Sequence, residues 1–437
     1  MNDCLKRLKI TQLNDMQQAT AEAIARGKGD VIVLSPTGSG KTLAYLLPLI
    51  QLTDTTNNEV QALVITPGRE LALQSDGVLK AATTALRSTC CYGGRPTMDE
   101  HRIIRKLQPQ IIFGTPGRLN DHLDKDNFSR YGIRYVVIDE FDKCLEMGFQ
   151  KEMAKLLGSL PGLRRRFLLS ATEAEEIPDF VNMRGVTRVD FLDHEEETSS
   201  RIAIHEVKSP QKDKLATLDQ LLRSFGQQSS IVFLNFRESV ERTAEYLSQQ
   251  GFTVSLFHGA LQQKEREDAL YRFTNGSANV LVATNLASRG LDIPDIENIV
   301  HYHLPLSQDD YIHRIGRTAR WEAQGRAFFL IGPEEHIPEY IDNPIEPYGI
   351  PEQLPPPAHP RMSTLYIGKG KKDKISKGDI VGFLCKKGGL EPSEIGKIDV
   401  KEHYAYCAIR RERMQEVIQN VRGEKIKGVK TIIESVK

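Results

Sequence analysis

The sequence predicts an α/β protein made of two tandem parallel-sheet domains followed by a small α+β domain. Two successive blocks, residues 1–200 and 201–337, alternate apolar strand-like runs with helical segments. Such alternation is typical of a mostly parallel sheet that is covered by helices on both faces. In the third block, residues 362–437, the elements follow a different order.

The two large blocks are separated by a charged and polar segment, residues 193–200, which we interpret as a hinge region. The predicted strands of the first block are Val31–Leu34, Ala62–Ile65, Ile111–Phe113, Tyr135–Ile138 and Phe167–Leu169. Those of the second block are Ile231–Leu234, Val254–Phe257, Val280–Ala283, Ile299–His303 and Ala327–Ile331.

Residues 338–361 contain eight prolines, which is too many for a helix or a central strand. We interpret this segment as an extended, fairly stiff linker. The block that follows it predicts, in order, the strand Thr364–Ile367, the helix Gly378–Lys387, the strands Ile398–Lys401 and Tyr404–Ile409, the helix Met414–Val421 and the strand Val429–Ile433. This βαββαβ order predicts a ferredoxin-like sandwich, the plan shared by RRM modules.

The composition favours a soluble cytoplasmic protein. The six cysteines show no C-x-x-C spacing, the first residues contain no apolar signal segment, and no apolar run reaches the length of a membrane span. The net charge is zero, but residues 361–437 carry 18 Lys and Arg against 10 Asp and Glu (+8), leaving 40 against 48 (−8) elsewhere. This asymmetry indicates either a nucleic-acid partner or an ordinary basic surface.

A phosphate-binding loop is predicted between the first strand and the following apolar helix, at Ser35-Pro-Thr-Gly-Ser-Gly-Lys-Thr42. Ser35 occupies the position of the first glycine in the usual pattern. Glycines let backbone N–H groups close around phosphate oxygens, while the lysine reaches the outer phosphates and the last threonine holds Mg²⁺. The residues predicted to bind ATP here are Thr37, Gly38, Ser39, Gly40, Lys41 and Thr42.

Asp139 and Glu140 follow the buried strand-like run Tyr135–Ile138. Acidic residues at the carboxyl end of a parallel strand lie where α/β sheets bind ligands. We expect Asp139 to hold Mg²⁺ together with Thr42, and Glu140 to orient or deprotonate the attacking water.

With these motifs, roughly the first 335 residues resemble the core of DEAD-box RNA helicases, which implies two RecA-like domains. Gln17, which lies upstream of the phosphate loop, matches the family's adenine-reading glutamine, and Ser170 and Thr172 match the motif that couples hydrolysis to strand separation. The resemblance further assigns ATP contacts to Gly290, Asp292, Arg317 and Arg320, the two arginines being arginine fingers. It assigns RNA contacts to Pro67, Arg69, Gly93, Gly94, Thr115, Arg118, Arg237, Gln263, Arg266 and Thr284.

The chain departs from the family pattern at several positions. Phe141 replaces an alanine, Gly68 a threonine, Asn285 an aspartate and Ala319 a glycine, and Leu13-Asn14 replaces the usual Pro-Thr before Gln17. The bulk of Phe141 has to be accommodated by its neighbours. Gly68 removes a hydroxyl that is able to bond phosphate.

The C-terminal block resembles the specificity domain of DbpA-type DEAD-box proteins, at Thr364–Gly368, Gly378–Gly382, Ile395–Asp399 and Gly423–Gly428. The resemblance implies recognition of a hairpin of large-subunit ribosomal RNA. Period-two alternation places Tyr404 and Tyr406 on the face opposite Ala405, Cys407 and Ile409. The two tyrosines are then base-stacking residues or plain sheet-surface aromatics, on an open face of the sheet. The predicted phosphate contacts are Lys369, Lys371, Lys372, Lys374, Arg410, Arg411, Lys425 and Lys427.

The leading interpretation is an ATP-dependent RNA helicase, an RNA-stimulated ATP hydrolase that uses ATP and Mg²⁺. Its expected partner is RNA, namely large-subunit rRNA during ribosome assembly, and we expect a monomer that does not contact membranes. Two alternatives remain open at this point: an ATP-gated RNA clamp with little unwinding, and a DNA helicase of the same superfamily. The 2′-hydroxyl of RNA is the group that distinguishes an RNA helicase from a DNA helicase of the same superfamily.

Overall fold

The computed structural model describes residues 2–36, 38–94, 96–172, 177–192, 202–288, 296–318, 325–341 and 344–436. Two units are distinguished, the first built mainly from residues 1–201 and the second mainly from residues 202–437. Among the described residues, no helix has the length and apolar character needed to cross a membrane. The six cysteines, all of them described, carry free thiols.

The first unit is a parallel sheet with helices on both faces. Its strands are β1 (Val31–Leu34), β2 (Ala62–Ile65), β3 (Ser88–Cys91), β4 (Ile111–Gly114), β5 (Tyr135–Ile138), β6 (Arg165–Ser170) and β7 (Thr187–Asp190). Its helices are α1 (Asn2–Leu8), α2 (Asp15–Arg26), α3 (Lys41–Leu52), α4 (Arg69–Ala82), α5 (Thr97–Leu107), α6 (Pro116–Asp124), α7 (Phe141–Glu146) and α8 (Gln150–Gly158).

The strand order of this sheet is β3-β4-β2-β5-β6-β1-β7, and each of its pairs is parallel. Two apolar core clusters, which include Val64 and Leu63 respectively, bury β2 from both sides. In this strand order, the carboxyl ends of β3, β4 and β2 lie next to one another, and those of β5, β6 and β1 lie beside them. The residues of the candidate site follow these strand ends.

The second unit contains another parallel sheet, with strand order β10-β11-β9-β12-β13-β8-β14. Its strands are β8 (Ile202–Lys208), β9 (Ser230–Phe233), β10 (Val254–Phe257), β11 (Val280–Ala283), β12 (Asn298–His301), β13 (Gly325–Ile331) and β14 (Ile345–Pro347). Its helices are α9 (Leu215–Phe225), α10 (Arg237–Gln249), α11 (Gln263–Thr274) and α12 (Gln308–Ile315).

The C-terminal part of the second unit forms a four-stranded antiparallel sheet of order β16-β17-β15-β20. Its elements are β15 (Met362–Ile367), α13 (Lys377–Lys386), β16 (Ile395–Val400), β17 (Ala405–Arg410), α14 (Met414–Asn420) and β20 (Ile433–Ser435), with a small hairpin of β18 (Lys425–Ile426) and β19 (Val429–Lys430) inserted before the last strand. Together with the two parallel sheets, this sheet confirms the predicted fold class.

Part of the proline-rich segment is an extended strand that joins the second sheet. Its strand β14 pairs in parallel with β8 at the edge of the second sheet. Tyr348 N–H donates to the carbonyl of Glu206 (2.8 Å), and the Tyr348 ring lies 5.1 Å from that of Phe328 in the core. An edge position tolerates Pro347 because that side of the strand needs no ladder donor.

Candidate functional site

The phosphate loop lies between β1 and α3, as predicted from the sequence. Gly38 and Gly40 have φ values of 88° and 87°, a region that side chains other than glycine rarely adopt. A Cβ atom on Gly40 would also lie 2.3 Å from Nε2 of Gln17. The ammonium of Lys41 donates to the carbonyl oxygens of Ser35 and Pro36 (3.0 Å to Pro36). The loop is thus tightly turned, with its lysine held against its own backbone, and Thr37 lies outside the described residues.

Gln17 connects helix α2 to the phosphate loop. It forms a capping box with Asn14, whose side chain accepts from Gln17 N–H (2.8 Å) while Gln17 Oε1 accepts from Asn14 N–H (3.1 Å). Gln17 Nε2 donates to the carbonyl of Gly40 (3.3 Å), and Asn14 Nδ2 donates to that of Ser39 (3.0 Å). An amide can make up to four hydrogen bonds, so these contacts leave Gln17 further capacity to bond an adenine edge.

Asp139 and Glu140 lie at the carboxyl end of β5, in the same group of strand ends as the phosphate loop. Asp139 is buried, and burial raises the pKa of its carboxyl to about 6 against the opposing effect of Lys41. It accepts hydrogen bonds from Tyr45 Oη (3.2 Å) and from the Glu140 N–H (3.0 Å). Glu140 has φ 51° and stands at the N-terminus of α7. A buried carboxylate and the hydroxyl of Thr42 are oxygen ligands of the kind that Mg²⁺ prefers, so these residues fit the metal.

Ser170 and Thr172 lie between the phosphate loop and the acidic segment. The carbonyl of Ser170 accepts from Ser35 N–H (3.1 Å), and Ser170 Oγ donates to the carbonyl of Thr172 (2.6 Å). Thr172 Oγ1 in turn donates to the carboxylate of Asp142 (3.2 Å). The predicted coupling residues therefore form a hydrogen-bonded path from one loop to the other. Phe141 is buried in the core cluster beside Cys144, which accommodates its bulk.

The predicted RNA loops of the first unit follow the adjacent strands β2, β3 and β4. Gly94 has φ 91°, and a Cβ atom there would lie 2.9 Å from Nη1 of Arg69, so these two loops are close together. Gly68 stands at the N-terminus of α4, where it has no side chain to cap the helix. The predicted RNA contacts of the first unit, all within the described residues, are Pro67, Arg69, Gly93, Gly94, Thr115 and Arg118.

Arg118 is positioned by Glu100, which the sequence reasoning missed. The buried Glu100 carboxylate accepts from Arg118 Nε (2.7 Å), from the Tyr92 N–H (3.1 Å) and contacts His122 Nε2 (2.8 Å). Arg118 also donates to Thr97 Oγ1 (2.8 Å). Only the folded structure shows this arrangement, because Glu100 lies 18 residues before Arg118 on a different helix.

In the second unit, the predicted RNA residues follow the adjacent strands β10, β11 and β9. Arg237 is exposed and pairs with Glu238 (2.6 Å), while Thr284 follows β11. Arg266 is buried and donates to the carbonyl of Gly259. Gln263 Nε2 donates to the carboxylate of Glu267 (2.8 Å).

Arg314 is a second residue that the sequence reasoning missed. Its buried guanidinium donates to the side chains of Asn285 and Asn235 and to the carbonyl of His303, each at 2.7 Å. The amide oxygen of Asn285 thus replaces the carboxylate of the commoner aspartate. Arg317 is buried, and its carbonyl accepts from Ile296 N–H (3.3 Å). The predicted ATP contacts Gly290, Asp292 and Arg320 lie outside the described residues.

The open face predicted for Tyr404 and Tyr406 is wrong, because α11 covers it. Tyr406 is fully buried, stacks on Tyr271 at 4.6 Å between ring centroids, and donates its hydroxyl to Asp268. Tyr404 is partly buried and donates its hydroxyl to Glu267. The alternation itself is confirmed, since the residues of the other face lie in the C-terminal core. A fully buried ring cannot stack a base, so base stacking by Tyr406 is excluded in this arrangement.

The basic residues of the C-terminal sheet differ in exposure. Arg411 is partly buried and donates to the carbonyls of Pro360 (2.7 Å) and Ser277 (3.1 Å), and its role as a phosphate contact stays a prediction. Lys427 donates to the carbonyl of Lys374 (3.1 Å), and Lys369 pairs with Asp373 (3.0 Å). The exposed members of the set are Lys371, Lys372, Lys374, Arg410, Lys425 and Lys427.

A tightly turned phosphate loop beside a buried carboxylate, at the carboxyl ends of a parallel sheet, is the arrangement of a nucleoside triphosphatase. Comparison with protein families identifies a DEAD/DEAH box helicase domain at residues 14–180, a helicase conserved C-terminal domain at 213–322 and a DbpA RNA binding domain at 364–435. The ATP-dependent RNA helicase DbpA of Escherichia coli is 36% identical over 97% of this chain and 94% of its own length. The ATP-dependent RNA helicase DbpA of Bacillus subtilis is 29% identical over 97% of this chain and 95% of its own length. The chain therefore belongs to the DEAD-box ATP-dependent RNA helicases of DbpA type.

Solved structures agree with this assignment. Mss116p bound to single-stranded RNA and AMP-PNP matches with a TM-score of 0.70, 25% identity and coverage of 80% of this chain and 77% of that one. S. cerevisiae Dbp5 bound to RNA and ADP BeF3 matches in fold with a TM-score of 0.69, 24% identity and coverage of 79% and 92%. As a member of this family, the chain is an RNA helicase that hydrolyses ATP with Mg²⁺.

Proposed function

We propose that this helicase locally unwinds structured RNA, that its substrate is large-subunit rRNA during ribosome assembly, and that it works as a cytoplasmic monomer. The observation that carries the proposal is the match of residues 364–435 to the DbpA RNA binding domain, on a C-terminal block of net charge +8. A relative from Coccidioides immitis, 37% identical over 72% of this chain and 67% of its own length, is named an ATP-dependent rRNA helicase.

In this proposal the residues around the phosphate loop perform hydrolysis. Gly38, Ser39 and Gly40 direct backbone N–H groups toward phosphate oxygens, and Lys41 leaves its loop carbonyls to contact the outer phosphates. Thr42 and Asp139 hold Mg²⁺, which when bound neutralises phosphate charge. Glu140 orients the attacking water and accepts its proton.

Further ATP contacts are proposed for four residues of the second block. Arg317 and Arg320 stabilise the negative charge that develops on the transferred phosphate, and Gly290 and Asp292 contact the nucleotide. Gln17 selects adenine by pairing with both a donor and an acceptor on the base edge. The Ser170–Thr172–Asp142 hydrogen bonds support a coupling role for this segment.

The proposed RNA contacts form two sets. The strand-end loops of both parallel sheets bind the sugar–phosphate backbone through Arg69, Arg118 and Arg237 in particular. The exposed lysines around Lys371 and Lys425 bind a structured rRNA element through phosphates, so this binding weakens as salt rises.

The proposal is tested by ATPase and strand-displacement assays with the full chain. Large-subunit rRNA fragments, small-subunit rRNA fragments and unstructured RNA of equal length are compared at equal salt. We expect a large-subunit fragment to give half-maximal ATPase at the lowest RNA concentration and to support displacement of a short adjacent duplex. Equal stimulation by all three RNAs contradicts the rRNA assignment, and RNA binding without turnover contradicts the helicase activity in favour of a clamp.

A further inference from the structure

Helix α11 presents two different faces to two parts of the second unit. Arg266, Ala269 and Phe273 are buried on one side, where the Arg266 guanidinium lies 5.9 Å from the Phe257 ring of β10. Lys264, Asp268, Tyr271 and Asn275 recur at intervals of four, three and four residues, which places them on one stripe of the helix. This second stripe meets the C-terminal sheet.

The contacts of this stripe are aromatic and polar. The Tyr271 ring stacks on Tyr406, and its hydroxyl lies within hydrogen-bond distance of the carbonyls of Lys397 (2.8 Å) and Tyr406 (3.1 Å). Lys264 Nζ lies 5.1 Å from the centroid of the Tyr366 ring. These contacts extend along the whole helix and reach both β16 and β17.

Side chains just beyond the helix continue the same contact. Asn275 Nδ2 donates to Thr364 Oγ1 (2.9 Å), which donates to Ser277 Oγ (2.9 Å). Thr364 and Ser277 are buried, and burial of satisfied polar pairs favours one fixed arrangement over a sliding one. The C-terminal domain is thereby held on α11 rather than suspended from a flexible tether.

Glu267 joins this contact to Gln263, a predicted RNA residue at the start of α11. One oxygen of its carboxylate accepts from Gln263 Nε2 (2.8 Å), and the other accepts from the hydroxyl of Tyr404. Because a carboxylate only accepts, the amide nitrogen of Gln263 must face Glu267, which fixes the orientation of the Gln263 side chain. A tyrosine of the C-terminal domain and an RNA-contact residue therefore share one carboxylate.

We infer that α11 fixes the C-terminal domain at one orientation on the second parallel sheet, with Tyr271 and Asn275 as positioning residues, and that Glu267 links this docking to the RNA contact made by Gln263. RNA bound by the C-terminal domain is then presented to the strand-end loops at a set distance and angle. The part of this inference that concerns RNA rests on the proposed function, whereas the docking itself does not.

Docking is measured without RNA by pulsed electron spin resonance on the full chain. Spin labels are attached to Lys212→Cys and Lys377→Cys, both exposed positions, after Cys4 and Cys385 are replaced by serine. We expect one narrow distance distribution, which broadens when Tyr271→Ala and Asn275→Ala are combined. A broad distribution in the otherwise unaltered chain overturns the docking, whatever RNA the protein prefers.

The link through Glu267 is tested with Tyr404→Phe, which removes only the hydroxyl. The matched control is Tyr366→Phe, the same change on the same face of the sheet. With an unstructured RNA, Tyr404→Phe is expected to raise the RNA concentration for half-maximal ATPase roughly three- to tenfold, with a much smaller change in kcat. Its effect is expected to be absent when Glu267→Gln is already present, because the two changes break the same link. Equal behaviour of Tyr404→Phe and Tyr366→Phe overturns the link.

A spacer series separates this inference from the proposed function. A large-subunit rRNA hairpin is joined to the duplex to be unwound through a helical spacer that grows one base pair at a time. Fixed docking predicts that displacement depends on spacer length, and that Tyr271→Ala with Asn275→Ala removes this dependence. Equal activity at every length overturns the fixed presentation. Absence of any hairpin preference refutes the rRNA assignment alone, because the spin-label distances still decide the docking.

Discussion

Replacing Asp139 by asparagine is expected to stabilise the first unit while it abolishes ATP hydrolysis. Burial raises the pKa of this carboxyl from 3.8 to about 6, so the ionised form is less favourable in the folded protein than in the unfolded chain. At about 1.4 kcal/mol per pKa unit, the ionised carboxylate costs the nucleotide-free protein about 3 kcal/mol. Asparagine keeps the shape and removes this cost, and it also removes the carboxylate that we propose as a ligand of Mg²⁺.

The stability gained by Asp139→Asn is expected to increase with pH. Folding raises the pKa of this carboxyl, so the folded protein is stabilised when the carboxyl is protonated. This stabilisation is fully present below pH 3.8 and is lost as the pH rises through about 6. The advantage of Asp139→Asn should therefore be about 3 kcal/mol at pH 8 and roughly half of that at pH 5.

Amide hydrogen exchange of β1, β5 and β6 in the full chain without nucleotide measures this stability, because it reports on the first unit separately. The control is Asp30→Asn, a second buried aspartate, which accepts backbone N–H bonds from Arg166 and Arg184 (2.7 Å each). Loss of these charge-assisted bonds should destabilise the unit. If Asp139→Asn destabilised the unit at pH 8 as Asp30→Asn does, burial would not be the main influence on this carboxyl.

Three further outcomes are expected. Glu140→Gln should retain ATP and RNA binding but lower kcat by orders of magnitude, and steady-state ATPase within a few-fold of wild type would show that its role is misassigned. Glu100→Ala should raise the RNA concentration for half-maximal ATPase about tenfold and leave nucleotide affinity unchanged, because it releases Arg118; calorimetry of both ligands checks this. Removing residues 362–437 should raise hydrogen exchange in α11, because the Tyr271 face loses its cover; unchanged exchange would favour a tether.

The sequence was sufficient for elements with strong local signals. The apolar runs Val31–Leu34 and Ala62–Ile65 are strands with those bounds. The sequence did not predict strand β3, because Ser88–Cys91 is entirely buried yet contains no apolar run to indicate a strand. It also placed Tyr406 on the correct face of its strand but could not show that α11 covers that face. Such contacts depend on residues more than a hundred positions apart, such as Tyr271 and Tyr406.

The sheet order brings the strands that precede the predicted ATP and RNA residues of the first unit into direct contact, in addition to the path through Ser170 and Thr172. In the first sheet, β2, which precedes a predicted RNA loop, pairs directly with β5, which precedes Asp139 and Glu140, and Asp139 N–H donates to the carbonyl of Ile65 (2.9 Å). The acidic pair is therefore joined directly to the end of the strand that precedes the predicted RNA loop at Pro67 and Arg69. In the second sheet, Arg314 binds Asn235, Asn285 and His303, which follow β9, β11 and β12. A shift of any one of these loops must break a buried charge-assisted hydrogen bond or move the other two loops with it. The arrangement thus favours concerted movement of the three loops, two of which adjoin the RNA contacts predicted at Arg237 and Thr284.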